Sequence, residues 1–171
     1  PQLGRYGAKI ECPSAHLGLL ASGLPFSGGE QLKTDILTIP NVTAILCLQR
    51  DCGEGSVDVG KDGVVSINYR ICKEDQRSML ASVWTAMRIL QAAGATKIRL
   101  LNNLPQDVSV RDGEEKISDE DIKKCYDELV GMGMVVNKFG VFCAHQMGSC
   151  RMGRSSDTGA IDCDGELWEC D

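Results

Sequence analysis

The sequence has no apolar run approaching the roughly 18 residues that cross a bilayer as a helix. Its longest candidates, Val42–Leu48 and Met132–Val136, are strand-sized. It has no excess of basic residues either: 18 Lys and Arg stand against 24 Asp and Glu, a net charge of −6. That balance argues against nucleic acid, because phosphate binding needs clustered cations. The one dense charge run, Arg111 to Lys124, mixes both signs and reads as a solvated loop and helix face. No CxxC pair occurs among the nine cysteines, and no strand–GxGxxG–helix unit is present to cradle a dinucleotide pyrophosphate. Histidine is scarce, at two residues.

What is there suits one folded domain. At 171 residues, roughly 70% of the unfolded chain's surface can be buried. Hydrophobic residues at 43% and charged residues at 25% are ordinary globular usage. The chain opens at Pro1 and stops at Asp171, straight after a strand-like run at Glu166–Cys170. The expectation is a single domain, residues 1–171, truncated at both ends. The odd cysteine number and the apolar settings of Cys47 and Cys125 read as free, mostly structural thiols in a reducing, intracellular compartment.

Residues 1–40 read as irregular. Strands are expected at Val42–Gln49, Ser56–Val59 and Val64–Tyr69, with a hairpin turn at Lys61-Asp62-Gly63. A long helix is expected from Glu74 to Ala93. Its stripe of Leu80, Val83, Trp84, Met87 and Leu90 would face a sheet built from about 42–49 and 64–70, and Gly94 would end it. Lys97–Leu101 reads as a strand. Asp119–Val130 reads as a helix capped by Ser118 and closed by Gly131, burying Ile122, Cys125, Tyr126, Leu129 and Val130. The fold class is α+β, with a mainly antiparallel sheet packed with helices.

Chemistry concentrates in Cys143-Ala144-His145-Gln146-Met147-Gly148-Ser149-Cys150-Arg151-Met152-Gly153. By residue type alone His145 suits either a base near neutral pH or a structural imidazole. Cys143, His145, Cys150, Cys163 and Cys170 are close in sequence. Their cysteine spacings of seven, thirteen and seven do not make a zinc knuckle, so no metal is expected. His16 reads as a surface or packed residue. Glu11 as a pocket carboxylate and Arg151 as a carboxylate contact are the weaker readings of those side chains.

The run His-Gln-Met-Gly-Ser-Cys-Arg-Met-Gly resembles the C-terminal motif of glucose–methanol–choline (GMC) oxidoreductases, nearest to the long-chain fatty alcohol oxidase branch. Ile161-Asp162-Cys163-Asp164-Gly165-Glu166-Leu167-Trp168 resembles the motif's continuation. Tyr6-Gly7-Ala8-Lys9-Ile10-Glu11, Pro13-Ser14-Ala15-His16, Ile67-Asn68-Tyr69 and Ala92-Ala93-Gly94-Ala95 resemble other parts of the same substrate domain. The resemblance implies the substrate-side part of an FAD-dependent enzyme that oxidises long-chain alcohols to aldehydes. Hydride would pass to the flavin and electrons on to oxygen. His145 matches the family's active-site His, which takes the hydroxyl proton. The Rossmann-like FAD half and the family's second active-site Asn or His are not in these residues, so independent activity is not expected. Membrane association is implied by the long-chain branch alone. The alternative is a non-catalytic remnant or interaction domain of the same ancestry that binds no flavin.

Overall fold

The computed structural model describes residues 7–14, 16–102, 106–135, 138–143, 145 and 147–168. The chain divides into two compact units, Pro1–Gly140 and Val141–Asp171.

The first unit holds the regular structure. Strand β1 (Ala8–Glu11) is followed by helices α1 (Leu17–Gly23) and α2 (Gly29–Thr38) and a 3-10 turn at Ile39–Asn41. Strands β2 (Leu46–Gln49), β3 (Gly55–Val59) and β4 (Val65–Tyr69) come next, then helix α3 (Lys73–Ala92). Strands β5 (Lys97–Leu100) and β6 (Gln106–Ser109) precede helix α4 (Asp119–Met132). The strands pair as three antiparallel ribbons: β1 with β2, β3 with β4, and β5 with β6. The architecture is the expected α+β with antiparallel pairing.

Helix α3 is built as its sequence dictates. Cys72 caps it, its sulfur accepting the amide of Asp75 at 3.4 Å. Glu74 and Asp75 place negative charge at the positive end of the helix dipole. At the other end the amide of Ala95 donates to the carbonyl of Leu90, and that of Gly94 to Gln91, both at 3.0 Å. Gly94 has φ 83°, the left-handed conformation that this paired closure requires. The helix packs on β1 and β2 and on α4, and α4 packs on β6.

The core lies there. Met87, Ile98, Val108, Ile117, Ile122 and Cys125 are buried together, with Val83, Trp84, Leu90 and Tyr126 against them. The rings of Trp84 and Tyr126 meet at 5.0 Å between centroids. Ser118 caps α4 by accepting the amide of Asp121 at 3.0 Å. Helix α2 is tied to the β5–β6 ribbon through Arg99, which reaches Asp35 at 2.8 Å and Asp107 at 3.0 Å. Burial would raise the Asp35 carboxyl, but its hydrogen bonds from Arg99 and Gln31 outweigh that and hold it below the ordinary carboxylate value.

Several sequence expectations change. The described residues within 7–40 are not irregular: they hold β1 and two helices. β2 pairs with β1, so the expected meander of 42–49 with 64–70 does not form. α3 packs on β1 and β2, while every residue of β3 and β4 is exposed. Strand β6 is an addition, pairing with β5 at Ile98↔Val108. Helix α4 runs through Gly131 and ends at Gly133, whose φ of 67° makes it the true stop; Val130 stays 44% exposed. The hairpin turn holds, with the amide of Gly60 on the carbonyl of Val64 at 2.8 Å and Gly63 at φ 78°. Met132–Val136, strand-sized by its apolar run, forms no strand among the described residues.

Candidate functional site

The second unit carries the His145 motif. Its described part, 141–143, 145 and 147–168, holds no helix or named strand and is built from turns locked by backbone contacts. The amide of Gly153 donates to the carbonyl of Ile161 at 2.8 Å, and the amide of Ala160 to Arg151 at 2.9 Å. These bonds hold two chain segments so close that only glycine fits at their crossing. A Cβ on Gly153 would lie 2.4 Å from the amide nitrogen of Gly159, and one on Gly159 would lie 2.3 Å from that of Gly153. Between the two glycines the chain turns back around Thr158. Its hydroxyl accepts the amides of Arg154 and Ser155, both at 3.1 Å, and donates to the Ser155 carbonyl at 3.1 Å. The Arg151 guanidinium donates to the Thr158 carbonyl at 3.0 Å, so its observed role is to brace this loop.

The Asp-rich continuation closes on itself. Asp162 Oδ1 accepts the amides of Asp164 at 2.9 Å and Glu166 at 3.0 Å, and the Asp162 amide donates to the Glu166 carbonyl at 2.9 Å. The amides of Glu166 and Asp164 favour the charged form and lower the Asp162 carboxyl from its ordinary value.

His145 is exposed, and no hydrogen bond or ion pair joins it to another described residue. Phe142 and Met147 on either side are 69% and 88% exposed, and Met152, Leu167 and Trp168 also show apolar surface. Ala144 and Gln146 lie outside the described residues, as do Pro1–Tyr6, Ala15 and the strand-like run's end at 169–171. Glu11 lies in β1, paired with Lys9. Among the described residues no three His, Cys, Asp or Glu gather to hold a metal, and no helix is long and apolar enough to cross a membrane. All eight described cysteines are free; Cys125 is buried, whereas Cys12, Cys52, Cys143, Cys150 and Cys163 are exposed. Sequence reading missed Gly159. The available signal was two glycines six residues apart, each next to an apolar residue, Met152 and Ala160.

A family model described as GMC oxidoreductase matches residues 54–171, more than half of the chain. The chain belongs to the GMC oxidoreductase family. Three Arabidopsis thaliana proteins illustrate its relatives within that family. Long-chain-alcohol oxidase FAO4B is 32% identical over 92% of this chain and 20% of its own length. Long-chain-alcohol oxidase FAO4A is 30% identical over 94% and 21%, and long-chain-alcohol oxidase FAO3 is 32% identical over 95% and 21%. The chain thus spans about a fifth of the length of the curated relatives it matches. No solved structure gives a significant match.

GMC oxidoreductases generally use FAD, so the described residues can be tested against its phosphates. The glycine-led helix start at Gly28-Gly29 follows a helix rather than a strand, and it carries Glu30 in its first turn, which opposes an anion there. An open groove of about 840 Å³ beside α4 is lined by five carboxylates, Asp119, Glu120, Asp121, Asp127 and Glu128, against three cations, Arg111, Lys123 and Lys124, a net acidic lining that opposes a pyrophosphate. The described residues of this GMC chain do not fit the phosphate end of FAD.

Proposed function

We propose that this chain is the substrate-side part of an FAD-dependent alcohol oxidoreductase, a single C-terminal domain that presents a long-chain alcohol for oxidation to the aldehyde, with oxygen as electron acceptor. The alcohol side is what these residues supply. His145 stands within the motif as a solvent-reachable imidazole, and its neutral form can accept a hydroxyl proton as the carbinol carbon is oxidised. The exposed side chains of Phe142 and Met147 give an alkyl chain apolar surface next to that base. The Gly153–Gly159 crossing anchors the C-terminal side of the His145 loop.

The observation that supports this reading is the exposed imidazole flanked by exposed apolar side chains, inside a segment matched by the family model. The test uses a full-length oxidase carrying this domain. His145→Ala lowers alcohol turnover by roughly 10²–10⁴-fold, the usual contribution of a positioned base, with flavin content and melting temperature unchanged. His145→Gln is nearly as damaging, because an amide keeps a hydrogen bond but cannot take the proton. Near-normal turnover in a fully flavinylated Ala variant removes His145 from the mechanism.

A further inference from the structure

Where β3 and β4 leave their ribbon and α3 begins, two cysteines meet one buried carboxylate. The β3–β4 register pairs Gly55 with Tyr69 and Val57 with Ile67. Carried three residues beyond the strand ends, the same register sets Cys52 opposite Cys72. Contacts past the ribbon agree with it. A Cβ on Gly53 would lie 3.2 Å from the Arg70 carbonyl oxygen, so the two segments still run side by side there. Asp75 Oδ2 accepts the Cys52 amide at 2.9 Å, the Gly53 amide at 3.1 Å and the Cys72 thiol at 3.0 Å. A single oxygen thus holds the backbone of one cysteine and the sulfur of the other. A disulfide needs Cα atoms roughly 4.4–6.8 Å apart, and the shared Asp75 oxygen is what holds the two cysteine segments together here.

We propose that Cys52 and Cys72 are a reversible redox pair, closed to a disulfide by a peroxide, with Asp75 as the base that takes the proton of the resolving thiol.

The two thiols differ in the way such a pair needs. Cys52 is exposed and open to an oxidant. Cys72 is half-buried at the N-terminus of α3, and donation to Asp75 raises its thiol and keeps it protonated. Peroxide therefore meets Cys52 first. The Cys52 sulfur attacks one peroxide oxygen, the O–O bond breaks, and the thiol proton leaves with the departing hydroxide as water. The product is a sulfenic acid on Cys52. The Cys72 sulfur then attacks the Cys52 sulfur as its proton passes to Asp75. The S–S bond forms, the sulfenic S–O bond breaks, and the hydroxide leaves as a second water on taking that proton. Two thiols lose two electrons in all, and one hydrogen peroxide is reduced to two waters. Asp75 is only 2% exposed and is fixed by the Cys52 and Gly53 amides, so it stays aimed at the sulfur through both steps. The inference is independent of the alcohol oxidase reading, because the peroxide can be supplied directly.

The test treats the reduced chain with one to a few equivalents of hydrogen peroxide and maps its cysteines by mass spectrometry. The expected result is a Cys52–Cys72 link, formed before other cysteines react and opened by dithiothreitol. In Cys72→Ser the link is lost, and dimedone traps a sulfenic acid on Cys52. In Cys52→Ser, Cys72 stays a thiol at the same peroxide dose. Asp75→Asn, whose amide still accepts a hydrogen bond, slows closure by roughly 10²-fold without changing which residues link. Over-oxidation of Cys52 with no link, or a different pair closing first, overturns the proposal. If Asp75→Asn does not fold, the two Ser variants decide the pairing, and the pH dependence of closure in the unmodified chain decides the base.

Discussion

Gly153→Ala offers the sharpest test of how the C-terminal unit is held. The new Cβ would meet Gly159 N at 2.4 Å, the Thr158 carbonyl carbon at 2.6 Å and Gly159 Cα at 2.7 Å. Non-bonded heavy atoms rest at about 3.5–4.0 Å, so the segments must part by about 1 Å. All three atoms are backbone, so no flexible side chain can move aside. Parting strains or breaks the Gly153–Ile161 and Ala160–Arg151 hydrogen bonds, now 2.8 and 2.9 Å. Each is worth about 0.5–1.5 kcal/mol net, and overpacking adds about 1–3 kcal/mol. The expected loss is about 2–6 kcal/mol of local stability. Amide hydrogen exchange of peptides covering 148–168 reads it directly, through faster exchange at Gly153 and Ala160. Ser155→Ala is the control. It removes only the 3.3 Å hydroxyl contact with Thr158, and its effect should stay within about 0.5 kcal/mol. If Gly153→Ala exchanges like the unmodified chain, the crossing is not what holds this unit together.

The core makes a separate prediction: Met87, 1% exposed among Ile98, Val108, Ile117 and Ile122, should cost about 2–5 kcal/mol on change to Ala, read from chemical denaturation. The Asp162 turn predicts a pH response. Its folded carboxyl is lowered below the unfolded value of about 3.9, so its stabilisation is fully present above that value and is lost as pH falls through the folded one. An NMR titration should show the Asp164 and Glu166 amides moving together with a midpoint below about 3.9, and a higher midpoint would refute this. The His145 and Cys52–Cys72 variants complete the set.

The parts of the fold visible in the sequence are those whose signals are local. α3 announces itself by a stripe ending at Gly94, and the β3–β4 turn by Gly63. β1 could not be seen in the same way. Its four residues include two charges, and it becomes a strand only by pairing Lys9 with Leu48 and Ile10 with Cys47, far along the chain. α2 is short, and its glycine start and adjoining Pro40 resemble loop punctuation. The end of α4 was misplaced because Gly131 and Gly133 look alike as letters, while only Gly133 takes positive φ. At the site, His145 was legible through motif resemblance alone. The Gly153–Gly159 contact was not, because a steric need shared by two residues leaves no periodic trace.

The β3–β4 ribbon has a consequence for how this chain behaves in a tube. Val57, Val59, Val65, Ile67 and Tyr69 share one face of it, and both ribbon edges carry strand backbone with no further strand paired to them among the described residues. Such a surface is a template on which identical ribbons stack, and only Asp58 on the opposite face adds charge within the strands. Colloidal stability then falls to the chain's net charge of −6, which long-range repulsion turns into separation between molecules. Near the pI of about 5.0 that repulsion vanishes while the valine face remains. Turbidity should therefore peak close to pH 5 and should climb with added salt at neutral pH, as screening does the work of titration.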